Sequence, residues 1–170
     1  MVQTSLPKCS QANAATGCCP QFDPGPWDQQ EFRFQDRLFV RDRTFNFLHI
    51  PLNMGRMVRR TWNRIQSAEA ACDEFVMLST DPSPWRGDHY FTVSKEVPGA
   101  DNVTLSGLFL TKVFEGPYRD AGKWVREAQA YVDSQGRTMK RLFFYYTTCP
   151  KCAKHYGKNY VVAFVEVQEP

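Results

Sequence analysis

The 170-residue chain is 42% hydrophobic and 14% aromatic, enough to build one globular core and too apolar for a disordered segment. Its formal net charge of +3 is mild, and basic residues are interleaved with acidic ones, which excludes the massed basic surface of a dedicated nucleic-acid binder. No run approaches the ~18 apolar residues of a spanning helix, and the opening MVQTSLPKCSQANAATGCCP lacks the apolar centre of an export signal; a cytoplasmic protein without a membrane partner is expected, its six cysteines reduced.

Residues 1–30 read as an irregular arm, because Pro20, Pro24 and Pro26 forbid regular structure there. Cys18, Cys19, Phe22 and Trp27 give its distal part a reason to pack on the body, residues 31–170. RTFNFLHI (43–50) alternates Phe45, Phe47 and His49 against Asn46 and Leu48, a strand that Pro51 and Asn53 end. In MGRMVRRTWNRIQSAEAA, the residues Met57, Val58, Trp62, Ile65 and Ala68 recur at helical spacing. FVMLS (75–79) and HYFTV (89–93) follow as strands joined by the turn-rich TDPSPWRGD, where Asp81 and Asp88 are expected to bind backbone N–H groups.

The second half repeats the order. LSGLFLTKVF (105–114) is a strand, and EGPYRDAGKWVREAQAYVDSQG supplies a helix with Trp124, Val125, Ala128 and Val132 on one stripe and Gly136 as its C-terminal stop. RLFFYY (141–146) and YVVAFVEV (160–167) are the last two strands, separated by TTCPKCAKHYGKN. Gly55 matches Gly116 and Trp62 matches Trp124 at offsets that drift only in loops. Two repeats, about 40–97 and 103–167, predict an α+β fold of duplicated β-α-β-β units: one mainly antiparallel sheet, two helices on one face and a cleft between the halves.

That duplication, with FEGPY followed by a Trp-centred helix, resembles the GyrI-like superfamily, which includes effector-binding domains of multidrug-responsive transcription regulators. The resemblance covers about residues 40–167, and the Cys-rich arm with its Cys-Pro-Lys-Cys loop resembles a distinct sub-branch labelled only as hydrolase. It implies an aromatic-lined cleft for a small apolar or cationic molecule, a buried carboxylate in many relatives, and in some the hydrolysis of strained electrophiles. No DNA-binding helix-turn-helix precedes the body, so nucleic acid is not an expected partner. Where regulator-type relatives place a Glu in the final strand ahead of its end, VVAFVEV offers Ala163 and Phe164.

Glu115, read as opening the second helix, is either a carboxylate complementing the helix dipole or the cleft's base, with Tyr118 beside it. Tyr145 and Tyr146 point to opposite faces of their strand, so one faces the core and the other a ligand. Tyr90, Tyr160, Trp85 and His49 complete the candidate ligand-binding set, as an aromatic cage or as ordinary core and rim. Cys149 and Cys152 form a CxxC pair that Cys18 and Cys19 can complete, with His155 as substitute ligand. The alternatives are reduced structural thiols, a zinc site, or a reactive or disulfide-forming pair. No cofactor is required by the remaining residues, no phosphate loop, HExxH or nucleophile elbow occurs, and the oligomeric state stays open. The leading expectation is small-molecule binding for sensing or sequestration. The alternatives are hydrolysis with Glu115 as base, and a thiol or zinc function of the Cys149/Cys152 loop.

Overall fold

The order strand, helix, strand, strand is present twice. The computed structural model describes residues 1–10 and 12–169, and the chain divides into two units, Gln35–Ser106 and Met1–Phe34 with Gly107–Pro170. The fold is α+β, with eight strands in mainly antiparallel pairing and three α-helices among the described residues.

The arm begins with a short strand, β1 (Val2–Gln3), which pairs in parallel with the start of β2 (Glu31–Phe47). In the Gln35–Ser106 unit, β2 turns at Leu48 and His49 into β3 (Ile50–Pro51), and α1 (Met54–Ser67) follows. Met57, Thr61 and Ile65 of α1 are buried and, with Val40, Phe91, Val93 and Val97, make the unit's core. That is the apolar face predicted for this helix, with Thr61 added. Strands β4 (Met77–Ser83) and β5 (Arg86–Thr92) pair antiparallel, and β5 pairs with β2. The expected nine-residue loop is therefore a tight turn at Pro84 and Trp85, with an irregularity between Thr80 and Ser83 that accommodates Pro82.

The strand at 43–47 corrects the usual meaning of alternation. Thr44 and Asn46 are buried, whereas Phe45 and Phe47 are 60% and 52% exposed. The polar pair points inward because it belongs to a closed hydrogen-bond network. Thr44 Oγ1 donates to Asn46 Oδ1 (2.8 Å), so the His89 Nε2 at 2.9 Å must donate to Thr44, and Nδ1 accepts from Ser79 Oγ at 2.8 Å. Asn46 Nδ2 donates to Asp81 Oδ1, and His49 Nδ1 lies 3.1 Å from Asp81 Oδ2. Asp81 thus serves side chains rather than the turn backbone, and Asp88 is held between Arg43 and Arg86. Gly87 leaves room for the network: a Cβ there would stand 2.5 Å from Thr44 Oγ1 and 2.9 Å from His89 Nε2.

In the other unit, β6 (Asp101–Glu115, from Gly107 onward) and β7 (Met139–Tyr146) flank β8 (Tyr160–Val167). Between β6 and β7 lie a 3-10 turn (Tyr118–Asp120) and α2 (Ala121–Ser134), closed by Gly136 at φ +65°. Trp124, Ala128 and Val132 pack on Leu108, Leu110, Phe114, Ala163 and Val165, and the Trp124 ring stacks on Phe114 at 5.8 Å. The opposite face of these strands carries Phe109, Phe143 and Phe164, with Phe32, Phe34 and Trp27 against them. TTCPKCAKHYGKN is more than a connection: α3 (Pro150–Tyr156) starts with Pro150 and stops at Gly157, φ +71°.

Candidate functional site

All candidate groups but three fall in the unit formed by Met1–Phe34 and Gly107–Pro170. Its N-terminal arm folds over the start of α3 and brings the Sγ atoms of Cys18, Cys19, Cys149 and Cys152 within 4.8 Å of one another. Cys149 is the residue preceding α3, and Cys152 is buried in its first turn. Thr16 Oγ1 lies 3.2 Å from Cys152 Sγ, and the Tyr156 hydroxyl donates to the Cys19 carbonyl at 2.6 Å. The hydrogen bond with Thr16 draws the Cys152 thiol down to about 6, whereas burial pushes Cys19 up. A lowered Cys152 beside raised Cys18 and Cys19 is the pattern expected when neighbouring thiols compete for one negative charge. His155 lies outside this group, its ring against Tyr156 at 5.5 Å.

The strand register decides which tyrosine faces where. Tyr146 lies on the α2 side with Phe144, its ring 5.7 Å from Tyr118. Tyr145 lies on the arm side, 6.4 Å from Phe22 and 5.5 Å from Trp27. Burial pushes its phenol well above the ordinary value. Tyr160 shares that side, 5.7 Å from Phe22. Glu115 sits directly across from Tyr160 as the last residue of β6, so it faces the arm side too. It is exposed and ends a strand; α2 begins six residues later, which corrects its assignment to the helix start. Tyr118 Oη donates to the Thr148 carbonyl at 2.8 Å, and burial pushes it up to about 12.

The other unit holds Tyr90, Trp85 and His49. Tyr90 is buried, its ring edge-on to Phe39, whereas Trp85 is 51% exposed and packs on Phe47 at 5.8 Å. His49 is exposed beside Asp81. Two polar groups were missed in the sequence. Glu166 is 1% exposed and accepts from Lys140 Nζ at 2.7 Å and Arg141 Nε at 2.6 Å. The signal was the alternation Val162, Phe164, Glu166, which carries the carboxylate on the arm side one step beyond Phe164. His89 is the second, held down at about 4 by burial and hence neutral. Its signal was a histidine inside an otherwise apolar strand.

Against known proteins, no curated sequence matches the chain. Among solved structures it is similar to "The structure of SAV2435 bound to TETRAPHENYLPHOSPHONIUM", at 13% identity over 83% of this chain and 94% of that one, TM-score 0.46. A family profile described as Bacterial hydrolase matches residues 9–167, nearly the whole length. This is the hydrolase-labelled branch expected from the GyrI-like resemblance, and the chain belongs to the Bacterial hydrolase family.

Proposed function

We propose that the protein binds a small apolar, aromatic or cationic molecule on the arm side of β6, β7 and β8 and hydrolyses it with Glu115 as general base. The observation that carries this is convergence: Glu115 and Tyr160 are cross-strand partners, and Tyr160 and Tyr145 both pack against the half-buried Phe22. Aromatic faces attract cations and flat rings, and an open carboxylate beside them can take a proton from an attacking water. Family membership supports hydrolysis over sequestration alone. Titration with a fluorescent aromatic cation tests the binding half. Affinity should fall at least about tenfold in Tyr145→Ala or Tyr160→Ala, and unchanged affinity in both would reject this face.

A second reading has its own observation, the four convergent thiols. A zinc ion with four thiolates at about 2.3 Å needs sulfur–sulfur edges near 3.8 Å. The Cys18 and Cys19 Sγ atoms are 3.6 Å apart and the whole set fits within 4.8 Å, so a small contraction supplies the tetrahedron. Four protein ligands would leave no open position for catalysis, which gives the ion a structural role, fastening residues 16–19 to α3. Elemental analysis of protein purified without added zinc tests it. About one zinc per chain is expected, and a metal-free, equally stable protein would leave the cysteines as packed thiols.

A further inference from the structure

Six of the nine large apolar side chains that are exposed among the described residues lie together: Phe45, Phe47, Leu48, Ile50, Leu52 and Trp85. Isolated exposed apolar groups need no explanation, but a contiguous set does. Phe47 is opposite Ile50 in the β2–β3 hairpin, Leu52 N–H donates to the Phe45 carbonyl, and Trp85 rests on Phe47. Phe45, Phe47, Ile50 and Leu52 therefore occupy one face of the hairpin by strand alternation, with Leu48 at its apex.

The backbone beneath this patch is closed. Asn46 N–H donates to the Trp85 carbonyl (2.8 Å), His49 N–H to the Pro84 carbonyl (2.9 Å), and Phe45 N–H to Asn53 Oδ1 (2.9 Å). Inside the surface, Asn46 and His49 are tied through Asp81. Leu48 and His49 have φ of +48° and +69°, the double positive turn that normally selects Asn-Gly. A leucine held there, 58% exposed, is a strained choice that keeps an apolar tip in the solvent-facing position.

Charge identifies the occupant. From Arg43 through Ala68 the chain has five arginines and no acid; Arg43 is paired with Asp88 and Arg60 with Asp42. Arg56 and Arg59 are exposed on α1 directly after the hairpin. The acids of the adjoining β4–β5 hairpin are engaged: Asp81 with His49 and Asn46, and Asp88 with Arg43 and Arg86. An apolar tip with satisfied backbone groups, followed on α1 by the exposed Arg56 and Arg59, suits the interface of an anionic bilayer, where Trp, Phe and Leu enter the headgroup boundary and Arg meets phosphate. A second copy of this chain would bring arginines against arginines.

We propose that this hairpin tip docks the protein on the surface of membranes rich in anionic phospholipid. The expected absence of a membrane partner rested on spanning length, and surface docking needs no span. The proposal is independent of the Glu115 face, which belongs to the other unit.

The test is co-sedimentation of the full chain with vesicles of phosphatidylcholine alone or with about 30% phosphatidylglycerol, at low and high salt. Binding at least about tenfold tighter to the anionic vesicles, weakened by salt, is expected. Leu48→Asn should reduce it at least about tenfold while leaving or raising the melting temperature, because asparagine tolerates the positive φ. Arg56→Glu with Arg59→Glu should reduce it further. Absence of anionic-vesicle binding would overturn the proposal. So would binding indifferent to Leu48→Asn. A dimer in solution that Leu48→Asn dissociates, without vesicle binding, would assign the patch to a second copy instead.

Discussion

Glu115 and Tyr160 stand directly opposite one another in the β6–β8 ladder, so a carboxylate and a phenol share one face of the same strands. If that pair is the centre of hydrolysis, Glu115→Gln should abolish turnover of an electrophilic ester or cyclopropane-bearing substrate while changing its binding by less than about tenfold. Single-turnover assays beside equilibrium titration separate the two. Retained turnover would remove Glu115 from the chemistry and leave a binding protein.

The thiol cluster predicts a metal-dependent stability. Treatment with a strong chelator, or Cys152→Ser, should lower the melting temperature, with a loss of about 2.7 kcal/mol if free zinc stands a hundredfold above its dissociation constant. Readdition of zinc should restore the chelated protein and not the variant. Calorimetry with parallel metal analysis reads both.

In metal-free protein the same cluster predicts a pH dependence. The Cys152 thiol is lowered from 9.0 to about 6, first by the Thr16 hydrogen bond. Its ion therefore contributes stability that is complete above pH 9 and is lost as pH falls through 6. Thr16→Val should move the thiolate absorbance midpoint upward. A midpoint that stays in place would show that another neighbour holds the charge.

His89 predicts acid sensitivity in the other unit. Its folded value of about 4 lies below the ordinary 6.5, so the unfolded chain binds the extra proton first. Stability should fall as pH drops from 6.5 towards 4, by roughly 3 kcal/mol at most from this group. His89→Gln should flatten that part of the profile relative to the native chain in denaturant titrations.

Gly87→Ala should destabilise by roughly 2 to 4 kcal/mol, because the added methyl would meet Thr44 Oγ1 at 2.5 Å in a filled polar network. Adding Thr44→Ser, which shrinks the neighbour while keeping its hydroxyl, should recover only part of the loss. An alanine variant as stable as the native chain would mean that the network yields easily.

Much of the fold was legible because it rests on local periodicity. The stripe of Met57 and Ile65 on α1 and that of Trp124, Ala128 and Val132 on α2 are buried where helical spacing puts them. Strand β8 runs over Tyr160–Val167 as read from its apolar run. α3 was missed although Pro150 and Gly157 bracket it, because seven residues are too few for an apolar stripe to emerge.

What the sequence by itself determined is therefore the duplicated order of elements, the family and the existence of paired thiols. Only the tertiary structure decided which side of each strand meets which partner. Two-residue alternation is symmetric, so it could separate Tyr145 from Tyr146 without saying which meets the arm, and it could not foresee that Thr44 and Asn46 turn inward while Phe45 and Phe47 turn out. The meeting of Cys18 and Cys19 with Cys149 and Cys152 spans about 130 residues. No local spacing encodes such a contact; it follows from how Phe22 and Trp27 anchor the arm on Tyr145 and Phe164.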